Sequence, residues 1–132
     1  MSFERINPPQ LAAPRGFSHA VSTTRPRTVY LAGQTALDAA GTIVGEDMVT
    51  QFEVALSNLM AALTAAGGTG SDLATVTIYV TDMDDYRASS RELGGVWSRL
   101  VGTDYPAMAA VEVPRLWDPA ALVEVQGVAV LD

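Results

Sequence analysis

Few side chains in this 132-residue sequence can do chemistry. The only histidine, His19, follows Ser18, and an imidazole that titrates near neutral pH can act as acid or base. Ser18 is not its nucleophile, because neighbours on a strand point to opposite faces. Without an assigned partner, His19 reads first as a strand histidine that hydrogen-bonds or faces solvent. Glu124 and Gln126 lie two apart on a strand and share a face. The carboxylate could handle a proton or a water, or could simply be solvated or paired with Arg115. Asp82, Asp84 and Asp85 could attract a divalent ion, but the start of a helix, where carboxylates face the positive end of the dipole, suits them better. Trp97 and Trp117 could stack on a ligand, but core and rim are the simpler assignments. The absence of cysteine excludes disulfides and thiolate catalysis, and one histidine does not make a zinc site. No metal is expected.

The bulk composition narrows the function classes. Apolar residues make up 48% and charged residues 17%, the balance of a folded chain, and 132 residues suit one domain spanning 1–132. A net charge of −7 repels phosphate backbones and anionic lipid, so neither nucleic acid nor membrane is an expected partner. The segment Met1 to Pro14 has no apolar run of the signal-peptide kind, and Val54 to Ala66 is too short to span a bilayer. A soluble cytoplasmic protein is expected.

The elements that must position these groups follow from periodicity. Phe17 to Val21 and Val29 to Ala32, around a Thr/Pro/Arg turn, read as an antiparallel pair, with a short third strand at Thr42 to Val44. Met48, Phe52, Leu56, Leu59 and Leu63 recur at helical spacing, after a start at Asp47 or Thr50 and before an end at Gly67-Gly68. Ala74 to Thr81 has strand composition. A second helix is expected from Asp82 to about Val101, weakened or kinked at Gly94-Gly95. Met108 to Val113 and Leu122 to Leu131 are the last strands. The order implies an α+β domain, one mixed sheet with both helices on one face. The other face needs a cover, because Val111, Val113, Val125, Val128 and Val130 supply more apolar surface than two helices hide, and self-association provides it.

Several runs together resemble one family: Gly16-Phe17-Ser18-His19-Ala20-Val21, Leu31-Ala32-Gly33-Gln34, Gln51 through Asn58-Leu59 to Gly67, and Val80 to Tyr86. Tyr105-Pro106-Ala107, Val111-Glu112-Val113 and Val123-Glu124-Val125 continue the match, so that from about Gly16 to Val130 the chain resembles the Rid/YjgF family. The resemblance implies a chorismate-mutase-like α+β fold with a six-stranded mixed sheet and two helices, assembled as a homotrimer with small-molecule clefts between subunits. It also implies cofactor-free hydrolysis of imines and enamines such as 2-aminoacrylate.

The family's Pro-Ala-Arg motif, whose guanidinium grips a substrate carboxylate, reads Pro106-Ala107-Met108 here, and methionine offers neither charge nor donor. By the same resemblance Phe17 replaces a tyrosine, Ala32 a serine and Ser90 an asparagine, and Gly33 adjoins them. Glu124 matches the family's acidic residue and is the implied catalytic group. Phe17, Ala32, Gly33, Ser90 and Met108 are the implied substrate-binding residues, with His19 a possible acid or base. The expectation is a small nitrogen-containing ligand, more apolar than the family's usual substrates or lacking a carboxylate at that end, with 2-imino acid deamination weak or absent. The alternatives are a non-catalytic metabolite-binding trimer and, opposed by the acidic balance, a ribonuclease or translation inhibitor.

Overall fold

The computed structural model describes residues 1–132. Strand β1 (Phe3–Ile6) pairs antiparallel with β2 (Ala20–Thr23) as a separate two-stranded sheet. The main sheet is built from β3 (Arg27–Gln34), β4 (Leu73–Val80), β5 (Ala107–Glu112) and β6 (Val123–Leu131), in the order β3-β6-β4-β5. It is mixed, β4 and β5 being parallel and the other pairs antiparallel. The helices are α1 (Met48–Ala65), α2 (Met83–Ala88) and α3 (Ser90–Leu100), and none is long and apolar enough to cross a membrane.

Helix α1 follows its sequence pattern closely. Asp47 caps it by accepting from the Thr50 amide at 2.7 Å, which holds the Asp47 carboxyl below the usual carboxylate range. Met48, Phe52, Leu56, Leu59 and Leu63 are all buried, and Gly67, at a φ of 93°, ends the helix while the Gly68 amide returns to the Leu63 carbonyl. This stripe packs on Leu31, Val76, Ile78, Val80, Val123, Val125, Ala129 and Leu131 from the sheet, and on Leu93, Val96 and Trp97 from α3. Burying so many large aliphatic side chains, each worth about 1.5–3 kcal/mol, makes this layer the main source of stability.

Two polar residues of α1 act as staples. Gln51, 2% exposed, donates to the Gly45 and Ala120 carbonyls, each at 3.0 Å, and accepts from the Leu122 amide at 2.8 Å. Asn58 donates to the carbonyls of Thr35 and Leu37. Both tie loops that enter or leave the sheet to the helix beneath it.

Four expectations need correction. The six strands do not form one sheet but divide into two and four: the β2 strand starts at Ala20, not Phe17, and takes the unforeseen β1 as its partner instead of β3. Contacts of Phe3 favour this pairing: it lies under the guanidinium groups of Arg5 and Arg25 at 4.6 and 4.7 Å, and Arg25 is itself tied to Asp72 at 2.7 Å. Thr42 to Val44 is no strand; only a single bridge joins Leu37 and Ile43 around the Asp38 turn. The second helix is two helices, and the break falls at Ser89, not at Gly94-Gly95. Asp82 caps α2 through the Asp85 amide, and Glu112 accepts from the Met83 amide, so the start of α2 is fixed, while α3 begins at Ser90 after the turn at Ser89. Val125, expected on the uncovered face, is fully buried against α1.

Candidate functional site

The sheet register sorts the candidate residues onto two faces. Val76 pairs with Met108 and Ile78 with Ala110, and Val76 and Ile78 are core residues, so Met108 stands on the helix side. Glu124 alternates with buried Val123 and Val125 and pairs with Tyr79, so it stands on the opposite face, as does Gln126, whose side-chain oxygen accepts from the Tyr79 hydroxyl at 3.0 Å. Glu124 makes no ion pair with Arg115; the ion pairs of the chain are Arg25 with Asp72 and Asp132, and Arg99 with Glu53.

On the helix side a cavity opens between β5, α2 and α3, in two adjoining lobes of about 250 and 280 Å³. Phe52, Ile78, Leu93 and Met108 give it an apolar floor; Tyr86, Ser90, Trp97 and Tyr105 bring polar atoms, and Gly94 leaves one wall open. Phe17 lines the second lobe. Burial pushes the Tyr86 hydroxyl above its ordinary pKa, so at neutral pH it keeps its proton and can donate.

The loop before β2 is clipped onto this cavity. Ser18 donates from its amide to the Pro106 carbonyl at 2.8 Å and from its hydroxyl to the Tyr105 carbonyl at 2.7 Å, and it forms an isolated bridge with Ala107. Gly16, at a φ of 74°, supplies the left-handed turn that brings Arg15 and Phe17 to the same opening. His19 closes the loop from outside. Its Nε2 lies 2.7 Å from the Ala12 carbonyl, which can only accept, so that nitrogen carries the proton, and its ring stands edge-on to Phe17 at 5.1 Å. The arrangement favours a structural histidine over an acid or base.

Phe17, Ser90 and Met108 therefore meet at one cavity, whereas Ala32, Gly33 and Glu124 do not join them within a chain. Ala32 and Gly33 lie where the β3 register slips against β6, between Leu31 and Gln34. The Glu124 carboxylate rests against the Gly33 backbone so closely that a Cβ there would fall 1.9 Å from Oε2. Gly33 is thus the residue that lets the carboxylate lie flat on β3. Sequence reasoning did not single out Arg15, Tyr86 or Tyr105 as cavity residues, and it preferred core to ligand stacking for Trp97. The available signal was position, since Arg15 stands two residues before Phe17 and Tyr105 directly before Pro106-Ala107.

Residues 8–131 match the model of the family described as endoribonuclease L-PSP. Among proteins of similar sequence, a RutC family protein of Pyrococcus horikoshii is 35% identical over 102 residues, covering 76% of this chain and 77% of that protein. A 2-iminobutanoate/2-iminopropanoate deaminase of Capra hircus is 31% identical over 105 residues, 79% of this chain and 73% of the relative. Among solved structures, a Rid-family protein from Yersinia pestis superposes with a TM-score of 0.89 at 32% identity, covering 99% of this chain and 100% of that one.

Proposed function

The chain belongs to the Rid/YjgF family, and from that membership we propose that it binds and transforms a small nitrogen-containing metabolite, of imine or enamine type, at clefts between the subunits of a soluble cytoplasmic homotrimer. One observation carries the reading: Phe17, Ser90 and Met108 line a cavity on one face of the sheet while Glu124 lies on the other. A single chain cannot bring that carboxylate to a molecule in its own cavity, but a neighbouring copy can. The face that carries Glu124 also exposes Tyr30 at 82% and Val111 at 40%, apolar surface of the kind that an interface covers.

In this reading the cavity holds the apolar body of the ligand, and a neighbour's Glu124 takes or returns a proton, or orients a water toward the carbon of a C=N bond. Attack of that water on the carbon and collapse of the resulting aminol would release ammonia and leave a carbonyl. Dehydration or cyclisation would draw on the same proton relay. Met108 provides no grip for a carboxylate beside the reacting carbon, so 2-imino acids, which carry one there, are poor substrates. The family description as an endoribonuclease does not extend to this chain in our reading, because a net charge of −7 opposes a polyanion.

The test has two parts. Light scattering at micromolar concentration is expected to give a trimer, and hydrolysis of 2-iminopropanoate is expected to run far below the rate of an arginine-containing relative. A monomer would remove the shared cleft, and a rate equal to that relative's would show that Met108 does not disable the grip. Mass spectrometry of small molecules retained by the purified protein then identifies the ligand class directly.

A further inference from the structure

The chain carries eight basic residues, all arginine. Arg5, Arg25, Arg27 and Arg99 are occupied by carbonyls or carboxylates of the fold. Arg15, Arg87, Arg91 and Arg115 have no such partner, and of these only Arg15 lines the cavity, where it borders both lobes. No other charged side chain lines either lobe. A second feature is independent of it. The Trp97 indole, 5% exposed, lines the same cavity, and its Nε1–H is buried without any hydrogen-bond partner. A buried donor left unpaired is unfavourable, and an acceptor atom of a bound molecule would relieve it.

We propose that Arg15 is the anion anchor of this cavity, and that the ligand is an organic anion with a compact apolar body, its charged group at Arg15 and an acceptor atom within reach of the Trp97 indole N–H. The proposal deepens the proposed function and rests on the cavity being the ligand site. The lining fits this class on three counts. It offers a guanidinium, an indole N–H and the hydroxyl hydrogens of Tyr86, Ser90 and Tyr105 as donors; within one chain it holds no carboxylate that would repel an anion; and its floor is hydrocarbon. In a chain of net charge −7, an arginine left without a carboxylate partner beside an apolar cavity is a selective feature rather than part of a general basic field. The anchor is also displaced from the position of the missing one. Arg15 sits in the loop before β2 and Met108 in β5, so the two reach the same lobes from different elements.

Benzoate and its uncharged counterpart benzamide are suitable probes, read out by the indole N–H resonances of the intact protein. There are two such signals, and Trp117, 98% exposed, is the internal control for Trp97. Benzoate is expected to shift the Trp97 signal saturably and to bind about tenfold more tightly than benzamide, the size of effect a charge-assisted hydrogen bond provides. Arg15→Gln should erase that preference and Arg15→Lys should keep part of it. Arg15 is exposed and makes no hydrogen bond to the rest of the chain, so both variants should fold. Equal binding of the two probes, or a preference that survives Arg15→Gln, would overturn the anchor while leaving the cavity a small-molecule site. If neither probe perturbs Trp97 at millimolar concentration, the cavity is not the ligand site, and this proposal and the reading beneath it both fail.

Discussion

Replacing Gln51 by leucine tests how the site is held, because this one side chain joins α1 to the segment that leads into β6 and Glu124. Leucine fits the volume but leaves the carbonyls of Gly45 and Ala120 and the amide of Leu122 without their partner. Gly45 and Ala120 are exposed residues, so water can reach their carbonyls, and each lost bond costs about 1 kcal/mol. The Leu122 amide is less accessible and costs about 1–3 kcal/mol. Subtracting about 1 kcal/mol for the added apolar burial leaves a net loss of roughly 3 kcal/mol. Urea unfolding at one fixed protein concentration, needed because any self-association would enter the midpoint, should show the midpoint falling by about 1–3 M. Gln51→Glu adds a pH signature. Its carboxylate can still accept from Leu122 but sets its second oxygen against two carbonyls, and with burial this raises its folded pKa. A raised folded pKa means that folding favours the neutral form. The variant should therefore lie nearest the wild type below the unfolded value of about 4.3, lose stability as pH rises toward the folded value, and level off above it. A leucine variant within about 0.5 kcal/mol of wild type, or a Gln51→Glu penalty that does not change with pH, would refute the staple.

Gly70→Ala should destabilise by about 1–3 kcal/mol in the same unfolding assay, because its Cβ would fall 2.0 Å from the backbone oxygen of Val101, which cannot swing aside. Gly95→Ala should raise stability by about 0.5–1 kcal/mol: nothing lies within 4 Å of the new methyl, and α3 gains a better helix former without touching the cavity. Gly33→Ala should leave the unfolding midpoint nearly unchanged, since the clash is with the flexible end of Glu124, yet it should displace that carboxylate and lower any turnover as Glu124→Gln does. Turnover that survives Gly33→Ala but not Glu124→Gln would show that the carboxylate need not rest on β3.

The sequence made α1 readable because one stripe of five large apolar residues and a capping aspartate all specify the same helix, and no other element competes for them. It made β4, β5 and β6 readable to within a residue, β4 from its Thr, Val, Ile and Tyr composition, although only β4 and β6 alternate buried positions. What it hid depends on distant partners. Phe3 to Ile6 has no strand pattern that stands out, and as a strand it is held by pairing with β2 and by Arg25, far along the chain, which lies over Phe3. The divided second helix was hidden too, its interruption falling at Ser89 rather than at the conspicuous glycine pair. Among site residues, Phe17, Ser90 and Met108 were identified by resemblance and do share a cavity. Their separation from Glu124 was not foreseen, because a list of site residues carries no sheet face until the register is known. Arg15 escaped notice for a simpler reason: an isolated arginine in a loop looks like solvated surface unless the loop is seen clipped to β5 by Ser18.

The placement of the cavity and Glu124 on opposite faces of one sheet has a genetic consequence. If each working cleft takes its cavity from one subunit and its carboxylate from another, a chain crippled at Glu124 and a chain crippled at Arg15 carry defects that need not coincide in the same cleft. Two such alleles, each inactive alone, could complement when co-expressed, since mixed trimers would contain clefts built from one sound half of each. Conversely, a single allele defective in both halves would spoil every cleft it enters and would act as a dominant poison of the wild-type pool.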